Sequence, residues 1–267
     1  MSGSTSRAPK LSFSSGGALE LARVPIAVLA GGLATRLGAF AATTPKALVE
    51  VAGQPFVDHQ LALWQRHGLR RVVVCVGHLG DQIVRHVGDG HRFGLDVTYS
   101  FDGERRLGTG GALRQAAPQL GDICWVTYGD AYLDVDYRAI LATFADMPLD
   151  CLGLMAVYRN ENQWDRSNVC FRDGRLVRYD KVQRTPDMAH IDFGLAVLRC
   201  AAIARIPVNI EVDLGDLYRD LVAGGRMVGY EVTQRFYEIG SPAGLAETRA
   251  HIAGQPLGPG HQRQCPT

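Results

Sequence analysis

Short apolar runs closed by glycine recur along the chain, with amphipathic stretches between them. VPIAVLAGG, starting at Val24, RRVVVCVGH, starting at Arg70, and ICWVTY, from Ile123 to Tyr128, are continuous apolar segments of strand length. Such runs are the mark of parallel strands buried on both faces. Between them, Pro55 to His67 carries Val57, Leu61 and Trp64 at helical spacing and stops at Gly68, and Gly80 to Val87 reads as a shorter helix. Leu95 to Phe101 is strand-like, and a helix is predicted over Ala112 to Ala117, behind a turn at GTGG. Strands alternating with helices across short connections predict an open α/β sheet covered by helices on both faces. In such a sheet the ligand lies beyond the carboxyl ends of the strands.

The second half mixes in antiparallel features. CLGLMAVY (151–158) and HIDFGLAVL (190–198) read as strands, and NVCFR, Asp173-Gly174 and RLVRYDK as a β-hairpin, because Asp-Gly supplies the positive φ angles of a tight turn. Asp213 to Ala223 places Leu214, Leu217, Tyr218 and Leu221 on one helical face. Ser241-Pro242 opens a last helix that ends near Gly254. The expected organisation is a Ser/Gly-rich tail over 1–22, a single domain over 23–254 with an inserted hairpin subregion, and a loose tail over 255–267.

Composition narrows the function classes. Lys and Arg number 28 against 27 Asp and Glu, a net charge of +1, which gives no electrostatic reason to expect nucleic acid or a membrane surface as partner. No apolar run approaches the ~20 residues of a membrane helix, and the N-terminus has no hydrophobic signal core. The six cysteines, at 75, 124, 151, 170, 200 and 265, form no CxxC pair and read as small buried hydrophobes of a reducing compartment, so the expected location is cytoplasmic. Glycine is abundant, with 31 residues, and sits where backbone turns or approaches a ligand.

Candidate chemistry starts at LAGGLATRL (29–37). Adjacent glycines leave bare amides beside which a phosphate or a flat base can lie, and Arg36 adds a planar cation. A second cation, Lys46, follows in Thr44-Pro45-Lys46. The pattern is neither GxGxxG nor GxxxxGK[ST], which disfavours the dinucleotide fold and the Walker loop. Asp130 follows a buried strand, where an acidic residue either caps the turn or meets a ligand at the strand ends. His78 and His190 read as local hydrogen-bonders, and Asp134-Val135-Asp136 as loop rather than a second metal motif.

The combination LAGGxxTRL…PKALVEVAGQP resembles the N-terminal signature of the sugar-1-phosphate nucleotidylyltransferases, and the resemblance extends over roughly residues 24 to 253. LGTGGA (107–112) resembles that family's nucleotide and sugar recognition loop, Gly129-Asp130 its metal-binding aspartate, and VRYDK (177–181) its sugar-phosphate lysine. Asp192 to Gly194 resembles its sugar-contacting strand, and YEIGSP (237–242) its second metal motif, with Glu238 where the family has Asp. The resemblance implies a Rossmann-like mixed sheet of the GT-A type and the reaction of an NTP with a sugar 1-phosphate to give an NDP-sugar and pyrophosphate. It implies catalytic roles for Arg36, Lys46, Asp130 and Lys181, and Mg²⁺ on Asp130 and Glu238. The nucleotide would lie on Leu29, Ala30, Gly31, Gly32, Gly108, Thr109 and Gly110. The sugar phosphate would meet Gly111, Asn168, Lys181, Asp192 and Gly194. Guanylyl transfer from GTP to a heptose or mannose 1-phosphate is the branch most resembled. A uridylyltransferase of amino-sugar phosphates, a GT-A glycosyltransferase and a non-catalytic regulatory paralogue stay open, as does a homo-oligomeric state.

Overall fold

The computed structural model describes residues 19–32, 43–103 and 105–254. In chain order the first half comprises β1 (Ile26–Leu29), β2 (Glu50–Val51), β3 (Gln54–Pro55), α1 (Phe56–His67), β4 (Arg71–Val76), α2 (Gly80–Val87), β5 (Asp96–Phe101) and α3 (Gly108–Leu120). β6 (Ile123–Tyr128), β7 (Ala131–Tyr132), α4 (Tyr137–Ala145), β8 (Gly153–Arg159), β9 (Val169–Arg172) and β10 (Arg175–Tyr179) follow. The chain then forms β11 (His190–Arg199), α5 (Cys200–Ile203), α6 (Leu214–Ala223), β12 (Met227–Val232), β13 (Tyr237–Glu238) and α7 (Pro242–Ala253).

Nine of these strands form one sheet among the described residues. Its spine runs β10-β9-β11-β6-β1-β4-β5, and β8 pairs with β11 and β12. β6, β1, β4 and β5 are mutually parallel, and β11 joins β6 antiparallel, so the sheet is mixed, as the alternating pattern with a later hairpin predicts. The parallel strands carry apolar side chains on both faces. Ile26, Val28, Val72, Val74 and Trp125 pack with α1, α2 and α4, while Ala27, Leu29, Val73, Cys75 and Val126 pack with α3, α5 and α6. A third, smaller cluster joins Val51, Phe56, Tyr132, Ile239 and Ile252 and seats α7 beside the strand ends. The hairpin turn adopts the expected geometry, with φ of 49° at Asp173 and 73° at Gly174, a conformation glycine enters freely.

Two expectations are corrected. The domain takes in the end of the segment read as a tail, because Leu21 in a 3₁₀ turn (Leu21–Arg23) is buried against the sheet. The remainder of that segment, the whole C-terminal tail and Arg36 lie outside the described residues. The helix predicted over 112–117 begins at Gly108, so GTGG is its first turn, and it continues through Pro118 to Leu120. Cys75, Cys124, Cys151 and Cys170 are buried free thiols. Among the described residues, no helix is long and apolar enough to cross a membrane.

Candidate active site

A cavity of about 290 Å³ opens at the carboxyl ends of the parallel strands. Leu29, Ala30, Gly31 and Gly32 line it from the end of β1, Gly129 and Asp130 from the end of β6, and Gly108 and Thr109 from the start of α3. Lys46 and Ala47 close one side, and Asp102, Arg106, Tyr128 and Glu211 complete the wall. The strand-end rule of open α/β sheets therefore brings together six of the seven residues assigned to a nucleotide, together with Lys46 and Asp130. The seventh, Gly110, faces elsewhere: its amide donates to Val212 O at 2.8 Å. Gly111 packs the same way, where a Cβ would stand 2.9 Å from Ile210 O. The second and third glycines of GTGG let α3 press against segment 210–213, and neither lines the cavity.

Lys46 Nζ donates to Asp130 Oδ2 at 2.8 Å. Lys46 is carried by a 3₁₀ turn, Lys46–Leu48, entered from extended Pro45, and Asp130 by the turn after β6. Glu238 reaches the same place from β13, which pairs with β7 through the register of Glu238 with Ala131. Its carboxylate accepts from the Gly240 amide and, at 2.6 Å, from Ser241 Oγ, ahead of α7. A Cβ on Gly240 would stand 2.6 Å from Glu238 Oε2 and 3.1 Å from Asp130 Oδ2. The two carboxylates thus face each other across a gap that only glycine leaves clear. Hard anionic oxygens in such a pair fit a magnesium ion, which uses one or two carboxylates and takes its remaining ligands from water and phosphate. Among the described residues no cluster of three or more His, Cys, Asp or Glu could hold a metal by itself. Ligand oxygens would have to complete the shell.

Apart from Gly111, the residues assigned to the sugar phosphate gather beside Tyr128. Lys181 Nζ stands 5.8 Å from the centre of the Tyr128 ring and 3.9 Å from Asp213 Oδ1. Behind it lies a network tied to itself. Asn168 Oδ1 accepts from the Asp192 amide at 2.9 Å, Asp192 Oδ1 from the Gly194 amide at 2.9 Å, and Thr127 Oγ1 donates to Gly194 O at 3.0 Å. Tyr179 OH donates to Asp192 Oδ2 at 3.4 Å. The ladder of β11 with β8 shifts between Asp192 and Ala196, where Gly194 takes a φ of 84°. Burial holds the Asp192 carboxyl above the usual range, against the opposing pull of Lys181.

Four polar wall residues escape sequence reasoning: Tyr128, Asp102, Arg106 and Glu211. Tyr128 and Asp102 each stand at the carboxyl end of a predicted strand, a signal that was present in position and absent in motif. The Tyr128 hydroxyl is buried with no hydrogen-bond partner among the described residues, and burial, then Asp192, pushes its acidity far down. Asp134 binds Arg66 and His67, and Asp136 caps α4, so the DxD pattern is used locally. His190 Nε2 donates to Glu231 Oε1 at 3.0 Å.

A glycine-walled cavity thus opens at the strand ends of an α/β sheet, with Lys46 and Asp130 in its wall and Glu238 beside them. The family model described as nucleotidyl transferase matches residues 26–165, and the chain belongs to that family. It is 27% identical over 248 residues to a mannose-1-phosphate guanylyltransferase of Mycobacterium tuberculosis, covering 90% of this chain and 68% of that one. It is 27% identical over 238 residues to an N-acetylmuramate alpha-1-phosphate uridylyltransferase of Caulobacter vibrioides, covering 85% and 96%. The chain spans about half the length of the first curated relatives it matches. The crystal structure of HddC from Yersinia pseudotuberculosis complexed with GMP-PN shares the fold at a TM-score of 0.71, with 20% identity over 86% of this chain and 99% of that one.

Proposed function

We propose that the chain is a cytoplasmic sugar-1-phosphate nucleotidyltransferase. It joins an NTP to a sugar 1-phosphate, giving an NDP-sugar and pyrophosphate, with Mg²⁺ as cofactor. What supports this reading is the arrangement of cations and carboxylates at the strand ends: Lys46 and Asp130 line the cavity with Tyr128, Glu238 stands beside Asp130 at Gly240, and Lys181 lies 5.8 Å from the Tyr128 ring. An oxygen of the sugar phosphate forms a bond to the α-phosphorus while the α–β bridging P–O bond breaks and pyrophosphate departs. Both substrates are anions, so the protein's task is to cancel charge and hold the in-line geometry. Lys46 serves the α-phosphate, Lys181 holds the incoming phosphate, and Arg36 serves the leaving group. A magnesium ion on Asp130 and Glu238 would supply further neutralisation of phosphate oxygens. The Lys46–Asp130 ion pair keeps the ammonium at the cavity edge before substrate arrives.

For base and sugar we favour GTP with a mannose or heptose 1-phosphate, in keeping with the guanylyltransferase relative that covers 90% of this chain. The uridylyltransferase relative, aligned over 96% of its own length, supports UTP with an amino-sugar 1-phosphate as the second reading. A coupled pyrophosphate assay of five NTPs against heptose, mannose, glucose and amino-sugar 1-phosphates separates the two. It also separates both from a glycosyltransferase, which releases no pyrophosphate. Turnover without any sugar phosphate, or none with any pair, would refute the reaction class.

A further inference from the structure

The two lysines of the site are held in different ways. Lys46 bonds a carboxylate, Asp130, at 2.8 Å. Lys181 has its Nζ over the ring of Tyr128, 5.8 Å from the centre, and 3.9 Å from Asp213 Oδ1. That oxygen already accepts from the Gly215 amide at 2.6 Å as the cap of α6, and its contact with the ammonium is long for an ion pair. The ring is the second hold on the cation. An ammonium over the face of a tyrosine, within about 6 Å of the centre, is attracted by the ring quadrupole. A ring carries no net charge, so the cation that it orients keeps its full charge for an incoming anion.

The ring itself is firmly seated. Tyr128 ends β6 in register with Leu29 of β1, and its carbonyl accepts from the buried Gln60 Nε2 at 3.1 Å. A Cβ on Gly194, whose φ is 84°, would stand 3.5 Å from Tyr128 Cδ2, so bare backbone of β11 packs against one side of the ring. Thr127 Oγ1 ties that backbone down by donating to Gly194 O. The Tyr128 hydroxyl is buried and, among the described residues, has no hydrogen-bond partner. An unpaired buried hydroxyl destabilises a fold, and phenylalanine would fill the same space without that cost. What Tyr128 offers its surroundings is therefore the ring face.

Resting on the nucleotidyltransferase reading, in which Lys181 meets the sugar phosphate, we infer that Tyr128 is the positioning residue for that lysine. Its ring sets where the ammonium stands and leaves it un-neutralised. Tyr128 also lines the cavity with Gly129 and Asp130, so the same ring joins the lysine to the cavity wall.

The chain has three lysines, Lys10, Lys46 and Lys181, so NMR of the whole protein labelled with ¹³C-lysine gives few side-chain signals, and Lys181→Met assigns the one in question. Protons over a ring face are shielded. The Lys181 ε-methylene signal should lie upfield in wild type, stay there in Tyr128→Phe and move downfield in Tyr128→Leu. Kinetics with whichever NTP and sugar 1-phosphate turn over fastest supply a second readout. Tyr128→Leu should raise the KM for the sugar 1-phosphate about fivefold and change that for the NTP by less than about twofold. Tyr128→Phe, which restores the ring, should return the sugar-phosphate KM to the wild-type value and raise the urea midpoint. A ring-trifluorinated phenylalanine at the same position keeps the shape but depletes the face of electron density, and should resemble leucine in KM. A Lys181 signal unmoved in Tyr128→Leu, equal rises in both KM values, or a fluorinated ring as good as phenylalanine would overturn the inference. Pyrophosphate release beside any of those outcomes leaves the reaction class standing and removes only the role of Tyr128. If no substrate pair releases pyrophosphate, a downfield move in Tyr128→Leu still supports the placement of Lys181, and the reaction alone falls.

Discussion

The two ends of the cleft are built on opposite plans. The cavity end is walled by bare backbone from Gly31, Gly32, Gly108 and Gly129, and its polar side chains are sparsely paired: among the described residues Asp102 has no partner and Lys46 bonds Asp130 alone. The sugar end is a closed circuit in which Asn168, Asp192, Gly194, Thr127 and Tyr179 bond one another behind Lys181. One end leaves its charged groups with few partners, at a cost in stability. The other uses its polar groups to fix a shape. Substitutions at the two ends should therefore separate rate from stability.

The sharpest test is Lys46→Ala. Loss of a cation at the reacting phosphate should lower kcat on the order of a hundredfold or more. The melting temperature should move little, since the partly exposed ion pair with Asp130 contributes about 1 kcal/mol or less. Steady-state kinetics beside a thermal scan checks both; a wild-type rate in a folded variant would remove Lys46 from the chemistry. At the sugar end, Asn168→Ala leaves the buried Asp192 amide without its acceptor and should destabilise the fold by about 1–3 kcal/mol. Urea denaturation measures it, and a loss under 0.5 kcal/mol, roughly the level of an ordinary surface change, would show that the circuit is not rigidifying.

The smallest effect runs the other way. The raised Asp102 pKa means that the folded state holds its proton up to about pH 6, whereas the unfolded chain releases it near 3.8. Between those values the native state binds more protons, so stability falls as pH rises, and the full penalty is present above pH 6. Asp102→Asn should thus stabilise the protein at pH 7.5 by about 1 kcal/mol after allowance for solvent screening, and most of the gain should be gone by pH 4. Paired urea curves of wild type and variant at the two pH values decide it. A destabilised variant at pH 7.5 would mean that Asp102 has a structural partner after all.

The contrast between the ends also explains what the sequence revealed. Strands buried on both faces are legible because every residue from Ile26 to Leu29 and from Val72 to Val76 is apolar, and the caps Ser241 and Asp213 announce α7 and α6. The glycine-lined end is legible because bare backbone leaves a mark in composition. The start of α3 was misplaced because GTGG reads locally as a turn, and only the packing of its backbone against Val212 makes it helical. β12 has no legible signal: only its end residues, Met227 and Val232, are buried, and it forms by pairing with β8, a partner far away in sequence. α4 carries Tyr137, Ile140, Leu141 and Phe144 at helical spacing after an Asp136 cap, so its signal was there. Asp102 left none, since a lone acid after a strand has no pattern until the fold brings Gly31 and Gly77 beneath it.

Segment 210–213 ties these ends together. Its Ile210 and Val212 carbonyls bear on the first turn of α3, which carries Gly108 and Thr109 into the nucleotide wall, and its last residue, Asp213, caps α6 while facing Lys181. Four consecutive residues thus act as a spacer bar whose length is dictated from both directions. Lengthening it by one amino acid would push both walls out of register, whereas the solvent-facing tip at Asp173-Gly174 could carry a peptide tag. An engineer grafting a reporter into this scaffold should choose the second place and leave the first untouched.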